Sequence, residues 1–492
     1  MKKIRLALAK ENKTEVQDLL KDFPLGESVE TVGIENQTGN SGVQLFISVS
    51  GGQIISHPDW YNQSLPFLFP TLPLCRENLL GLLFYHLGLM DDAIRVSYGA
   101  EIHGVLSGLF QEEDLDWLDK WKSDAAYFHN LSILTYYHHL GGSSNHLMQL
   151  FSQAVENAPT CEMKAYSARH ELVCLQEMGI PSDSERMEYL LSCSLQPAAR
   201  NALQYELTRE ILTKAERTNA EVPVEQKEAL QKLLNFYREQ NAPLLVAELM
   251  KEMSWVASYE NHYSEALSYL NQAIELYKEE EQEVLGAELF SKKAEILHQW
   301  AKSGMPHFYQ QAIQAYQEAL KVVKQDLYPY WFAEIHNRLG VLYAEMPEEQ
   351  QKRSIWAAVS ATSFVEALSF FTKEEYPYEY ASVCHNYATA LINYPQAIRN
   401  DNIEKALNYF NESLEIRTAE AYPQERTMTL LNFLEASWEA SNINELIERV
   451  RLNDMREKTR EIIALTEDPL MSERAYEHLN SIEKLQTEIA DA

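Results

Sequence analysis

Glycine and proline are scarce in this chain: 17 of each among 492 residues, about 3.5%, where globular chains carry roughly 7% and 5%. Too few turn formers are present for a collagen-like chain or for an all-β fold built on tight turns. Basic residues are also short, with 42 Lys and Arg against 73 Asp and Glu and a net charge of −31. A field of that sign repels phosphate backbones and anionic headgroups, so neither nucleic acid nor a membrane surface is an expected partner; a neutral or basic protein or peptide is. No apolar run approaches the ~18 residues of a membrane span. Lys10, Glu11 and Lys13 interrupt the N-terminus before the apolar core of a secretory signal could form. The five cysteines (Cys75, Cys161, Cys174, Cys193 and Cys384) are odd in number, scattered and never in a C-x-x-C pair, which fits reduced thiols in a cytoplasmic protein. Nothing in the pattern fixes an oligomeric state.

What is present is core material. Apolar residues make up 46% and charged residues 23%, so the chain is not a disordered tail. Thirteen of the seventeen glycines fall before residue 143, six of them between Gly26 and Gly52. In the first sixty residues Lys3 to Phe23 carries helical spacing. Val29 to Ile34 and Val43 to Val49 then alternate like strands around a turn-rich segment, Asn36 to Gly42. A small α+β cap over 1–60 is expected, packed on the helices behind it because so short a piece buries little core alone. From Gly179 onward only Gly286, Gly304 and Gly340 interrupt continuous amphipathic spacing, which predicts helix after helix.

Self-similarity is the strongest signal. Tyr328-Pro329, Tyr376-Pro377 and Tyr422-Pro423 recur at intervals of 48 and 46, each opening a similar run: YPYWFAEIHNRLG, YPYEYASVCHNYA and YPQERTMTLLNFL. A second motif, small then bulky then small, appears as Ala266/Leu270/Ala273, Ala312/Tyr316/Ala319, Ser360/Phe364/Ala367 and Ala406/Phe410/Ser413, at intervals of 46, 48 and 46. Proline suits the first turn of a helix, where the N–H it lacks has no partner anyway. Small residues let paired helices approach, the bulky one fills the groove, and each pair leaves an apolar face that only the next pair can bury. Gly340 and Ala388 occupy the slot of closest approach.

These motifs resemble the tetratricopeptide repeat (TPR) family: Leu339-Gly340-x-x-Tyr343 matches its first-helix core and the small/bulky/small triplets its second helix. Upstream, LLGLLFYHLGLMDDAI places Leu80, Gly81, Phe84, Gly88 and Ala93 at the family's spacings, and Leu131, Phe151, Ala154 and Pro159 continue it in degenerate form. The longer period here implies longer helices or connections. The phased Tyr-Pro also resembles repeat arrays of bacterial signalling proteins that lie beside protease or nucleotide-switch domains. The expected fold is therefore all-α, a right-handed solenoid of TPR-like helical hairpins with a small N-terminal α+β cap. Its expected divisions are 1–60 cap, 61–160 two repeats, 161–245 a helical connector in which no repeat aligns, 246–445 the array and 446–492 capping helices.

Catalytic signatures are missing. The chain has no phosphate loop, no G-x-G-x-x-G, no H-E-x-x-H and no G-x-S-x-G. His103 with Cys161 could form a thiol–imidazole pair only by coincidence of fold. His129, His138, His139 and His146 cluster, yet none are four apart and no Cys or paired carboxylate joins them, so no metal is expected. Glu112 to Asp116 lacks the glycine of a calcium loop, and Glu279 to Glu283 reads as a solvated helix end. No catalytic residues and no cofactor are expected.

The resemblance to the TPR family implies a peptide groove lined by first helices. By spacing, that carries over to Arg338, Asn386 and Asn432, with Asn130 upstream and Asn337, His385, Glu435 and Trp438 as neighbours. Asparagine both donates to and accepts from an extended backbone. The family's clamp for a chaperone tail needs several cations. Here Arg338 stands alone beside Glu334, Glu345 and Glu435, so a terminal carboxylate is a poor ligand. The expected function is a non-catalytic protein- or peptide-binding scaffold. The rival is a ligand-gated regulator or sensor whose superhelix responds to a peptide or small molecule, and periodicity does not separate the two.

Overall fold

The computed structural model describes residues 4–491 apart from 22, 24–27, 35–44, 62–66, 109–117, 119, 125, 138–143, 181–183, 194, 219, 348–349, 396–401 and 441–444. The Asn36 to Gly42 turn, the Glu112 to Asp116 stretch, His138 and His139 lie outside the described residues. The chain divides into two compact units, Met1–Met253 and Ser254–Ala492, and it is 75% helical.

The first unit opens with a five-stranded sheet of order β2-β1-β3-β4-β5. Second in that order, β1 (Ile4–Leu8) runs parallel to its two neighbours, β2 (Val29–Gly33) and β3 (Leu45–Ser50). β4 (Gln53–Ser56) and β5 (Leu72–Pro73) extend it antiparallel. Two sequence expectations are corrected here. Lys3 to Phe23 is not one helical stretch: helix α1 occupies only Lys13–Leu20, and Ile4–Leu8 is strand. All five residues of β1 are buried, so its pattern is a continuous run without the alternation that marks a half-exposed strand. Strand also reaches past residue 60, to Pro73. The sheet shares one core with the helices behind it, in which Ile4, Leu6, Phe46, Ile47 and Leu72 meet Leu79, Leu82 and Leu83.

Those helices are α2 (Arg76–His86), α3 (Met90–Val96) and α4 (Glu101–Gly108). Gly88, at φ +78°, makes the α2–α3 turn. Gly81 packs closely, but on a third element: a Cβ there would lie 3.1 Å from Ile102 of α4 and from Ser97. The unit continues through α5 (Ala126–Tyr137), α6 (Ser144–Asn157), α7 (Cys161–Glu177), α8 (Ser184–Ser192), α9 (Pro197–Thr218), α10 (Val224–Glu239) and most of α11 (Pro243–Tyr259).

The second unit holds α12 (Tyr263–Glu279), α13 (Glu283–Lys302), α14 (Phe308–Val322), α15 (Pro329–Glu345), α16 (Gln350–Phe370), α17 (Pro377–Asn393), α18 (Asn402–Ile416), α19 (Pro423–Glu439), α20 (Glu445–Leu465) and α21 (Pro469–Asp491). Helices pair as hairpins α13/α14, α15/α16 and α17/α18. The tyrosines of the three Tyr-Pro pairs cap α15, α17 and α19 with φ of −135°, −134° and −140° and ψ of 60°, 62° and 60°. Each donates its N–H to the carbonyl four residues back, Lys324, Thr372 or Thr418, at 2.8, 2.9 and 3.0 Å. One dipeptide thus sets one angle of helix initiation, repeated three times.

Every small/bulky/small triplet is buried, none of its members more than 2% exposed. At Gly340 the fit is tightest: a Cβ there would stand 2.8 Å from the Phe364 ring. Ser360 donates to the Gly340 carbonyl at 2.5 Å, and the Tyr394 hydroxyl donates to Ser360 at 2.6 Å, so a buried relay joins three consecutive helices.

A second period escaped the sequence reading. Asn241, Asn261 and Glu281, twenty residues apart, all adopt left-handed backbone with φ of 53°, 61° and 56°. In each turn the next N–H reaches back to close the helix end, from Ala242 to Tyr237, His262 to Ala257 and Gln282 to Tyr277. The sequence signal is FYREQNAPLLVAEL at 236–249 against LYKEEEQEVLGAEL at 276–289, forty residues on. Repeats therefore begin inside the segment read as an unaligned connector. Glu279 to Glu283 is the last of these turns, a solvated helix end as expected, with Glu281 exposed.

Two substitutions test this packing by thermal melting. Gly340→Ala is expected to destabilise by about 1–3 kcal/mol, because the Phe364 ring leaves no room for the methyl group and overpacking outweighs the ~1 kcal/mol that alanine normally gains inside a helix. An unchanged or raised Tm would disprove the close approach. Glu281→Gly is expected to stabilise by about 0.5–1 kcal/mol by relieving a left-handed glutamate; a lower Tm would contradict the turn geometry.

Candidate functional site

Within the second unit the first helices of successive repeats touch, α15 on α17 and α17 on α19, more extensively than the second helices do. An array bends toward the side on which its neighbours meet, which places α15, α17 and α19 on the inner side of this stretch. Side chains four apart share a helix face. Counting from each Tyr-Pro, that face carries Tyr330, Glu334 and Arg338 on α15, Tyr378, Ser382 and Asn386 on α17, and Gln424, Met428 and Asn432 on α19. Tyr330, Tyr378 and Met428 are 42%, 41% and 49% exposed. The sequence reading missed these three. The two tyrosines share one offset, the residue after the proline, whereas Met428 lies one turn further along α19, past Gln424.

The residues expected in the groove that lie in the second unit divide into three groups. Arg338 is exposed on the inner face. Asn337, His385, Asn386 and Asn432 brace one repeat against the next: Asn386 Nδ2 donates to Asn337 Oδ1 at 3.1 Å, and Asn432 Nδ2 donates to Thr389 Oγ1 at 3.1 Å. Asn337 is buried, and Asn386 and Asn432 are half-buried. Glu435 and Trp438 belong to the end of the array. Glu435 pairs with Arg474, and Trp438 Nε1 donates to His478 Nδ1 at 2.9 Å, so α21 is seated against α19 where another first helix would otherwise pack.

Asn130 is not on a groove at all. It is 2% exposed in the first unit, where its amide exchanges two hydrogen bonds with the backbone of Leu68, at 2.9 and 2.7 Å. A buried asparagine facing an unpaired backbone segment is matched like a strand neighbour, and spacing along one helix carries no sign of that. His129 from the same helix is buried too, against Ser167 at 3.0 Å, and His146 is exposed, so these two do not meet as a pair of ligands. His103 faces Ser97 at 3.2 Å.

His385 carries the clearest electrostatics. Thr429 donates its single hydroxyl proton to the Glu425 carbonyl at 2.7 Å. Its oxygen must then accept both from Arg417 Nη1 at 2.9 Å and from His385 Nδ1 at 3.0 Å, which fixes the neutral Nδ1–H tautomer. Burial, and after it the Arg417 guanidinium, hold the imidazole down to about 4. The Phe410 ring lies 5.8 Å away on the adjoining helix.

No protein-family model and no curated protein matches the chain. Among solved structures it is similar to the TPR domain of P58(IPK), at 12% identity over 84% of this chain and 98% of that one, with a TM-score of 0.24. It is also similar to a circular tandem repeat protein with a novel repeat topology, at 14% identity over 85% and 96%, with a TM-score of 0.22. Superposition at that level carries no further argument, and the repeat assignment stands on the helices themselves. No described helix is long and apolar enough to cross a membrane.

The depressed His385 predicts acid sensitivity of defined sign. Its folded value lies below the unfolded ~6.5, so its contribution is complete above that range and is lost as pH falls toward 4. Between about pH 7.5 and 5.5 the loss should approach 1.4 kcal/mol. His385→Gln, which keeps a donor toward Thr429 and cannot titrate, is expected to lose less stability than the parent chain over that interval in urea denaturation. Parallel curves would contradict the assignment.

Proposed function

We propose that the chain is a non-catalytic scaffold of the cytoplasm that binds a neutral or basic segment of another protein along the inner face of α15, α17 and α19. The observation that carries this is the pair Tyr330 and Tyr378, large side chains left 42% and 41% exposed at the same offset from successive Tyr-Pro pairs, with Met428, 49% exposed, on the same face one turn further along α19. Aromatic side chains anchor interfaces because they bury large area with few rotors. The amides have a specific share in it: Nδ2 of Asn386 and of Asn432 each spends one of its two hydrogens on a neighbouring repeat, so the carbonyl oxygen and the second hydrogen are what each offers to an extended backbone. Glu334 lies in the same row, and a net charge of −31 favours approach of basic side chains.

The second reading is a sensor whose array changes pitch when a peptide or small molecule binds. It is favoured by the position of the cross-repeat hydrogen bonds, Asn386 to Asn337 and Asn432 to Thr389, directly beside the binding face. The resemblance of the phased Tyr-Pro to signalling arrays fits either reading, with the effector supplied by a separate chain.

A pull-down with the intact chain would supply the partner, and calorimetry would then compare it with the Tyr330→Ala, Tyr378→Ala double variant. Loss of two aromatic anchors is expected to cost about 2–4 kcal/mol, or roughly 30- to 800-fold in Kd, while the circular dichroism spectrum stays helical. Association with a basic partner should also slow as salt rises. Unchanged affinity in the double variant would remove the site from this face.

A further inference from the structure

Cys161 and Cys193 stand 32 positions apart in sequence with no motif joining them. The fold brings them together. Cys161 is the exposed first residue of α7, and Cys193 is half-buried just beyond α8. The two segments are fastened independently: Glu162 Oε1, beside Cys161, accepts from the Gln196 N–H at 3.2 Å. Arg200 at the start of α9 donates to the carbonyls of Leu191 and Cys193 at 2.8 and 3.0 Å, holding the turn in place. Leu190 of α8 and Leu203 of α9 share one core with Tyr166 and Ala165 of α7. The Cys193 thiol donates to the Tyr189 carbonyl at 3.6 Å, and across this junction its sulfur lies near enough to that of Cys161 for the two thiols to interact.

We propose that Cys161 and Cys193 form a reversible dithiol–disulfide site, oxidised by a small-molecule disulfide of the glutathione type. The Cys161 sulfur, the more exposed of the two, attacks one sulfur of the reagent as a thiolate. A mixed disulfide forms and one thiolate leaves. The Cys193 sulfur then attacks Cys161, breaks the mixed bond and releases the second reagent thiol. Two protons and two electrons leave the protein dithiol, and the reagent disulfide is reduced to two thiols. Desolvation, and after it the contact with Cys161, raise the Cys193 thiol, while the nearby Lys164 ammonium acts in the opposite sense.

The buried thiols supply internal controls. Cys174 and Cys384 are both pushed up to about 12, first by burial and then by the carboxylates of Glu177 and Glu412 respectively. Protonated and inaccessible, they lack the two properties that exchange demands. The closed bond would tie the first turn of α7 to the α8–α9 connection, adding a covalent link to a junction that hydrogen bonds and a shared core now hold.

The test uses the intact chain. Incubation with oxidised glutathione at neutral pH, alkylation of the remaining thiols and peptide mapping without reductant should yield the Cys161 and Cys193 peptides linked to each other. Cys174 and Cys384 should be alkylated only after denaturation, and dithiothreitol should reverse the bond. In Cys193→Ser the second step has no nucleophile, so glutathione should accumulate on Cys161. Phenylarsine oxide, which bridges adjacent thiols, should protect both cysteines of the untreated native chain from alkylation together. A glutathione adduct persisting on Cys161 of the unsubstituted chain, linkage between chains, or arsenical protection of neither cysteine would overturn the proposal.

Discussion

The second unit depends on how closely two helices can approach at a small residue. At Gly340 the Phe364 ring occupies the space a Cβ would need, and the helix carbonyl at that point accepts from Ser360. That distance sets the depth at which the bulky side chain of one helix enters its partner, and so the spacing of the pair. Ala266/Leu270, Ala312/Tyr316 and Ala406/Phe410 stand where Ser360/Phe364 stands on its own helix, and all are buried. Because packing decides spacing, the chain needs a separate device for phase. Tyr-Pro supplies it: a proline-fixed first turn after a tyrosine of constant φ and ψ starts α15, α17 and α19 at equivalent rotations. Side chains at equal offsets from the proline therefore emerge on one face. Without constant phase, Tyr330 and Tyr378 would point in unrelated directions and no continuous surface would exist.

What was legible in the sequence was what chemistry makes specific to a residue type. Proline at a first helical turn and a small residue at a helix crossing tolerate few substitutes, so their spacing survived as a visible period. The twenty-residue turn period was harder to see, because left-handed backbone accepts Asn or, with strain, Glu: Asn241, Asn261 and Glu281 share a conformation without sharing a letter. Ile4–Leu8 was misread for a related reason, since a strand covered on both faces loses its alternation. For the site, the face was legible and the partners were not. Position along a helix says which way Asn337 or His385 points, but only the neighbouring repeat says that Asn386 and Thr429 meet them there. The proximity of Cys161 and Cys193 depends on how α8 folds back on α7, which no local pattern encodes.

The inner-face amides have two roles, and the balance between them is what separates a scaffold from a sensor. A ligand shifts an array between two pitches only by its differential affinity for them. Each neutral cross-repeat hydrogen bond contributes about 1 kcal/mol. A ligand that merely lies across Tyr330, Tyr378 and Met428 leaves Asn386 to Asn337 and Asn432 to Thr389 intact, favours neither pitch, and finds a rigid scaffold. A ligand that draws both Nδ2 groups away breaks two braces at once. The pitch equilibrium then moves by about 2 kcal/mol, a factor of roughly 30. Extended backbones offer donors and acceptors in alternation, so the outcome depends on register: N–H groups meeting the amide oxygens leave the braces in place, and carbonyls that take the Nδ2 hydrogens held by Asn337 and Thr389 compete with them. Asn386→Asp and Asn432→Asp would remove those donors and leave acceptors on the face. If opening the braces is the switch, this pair should mimic the ligand-bound pitch in small-angle scattering with no ligand added; a profile identical to that of the parent chain would leave the scaffold reading standing alone.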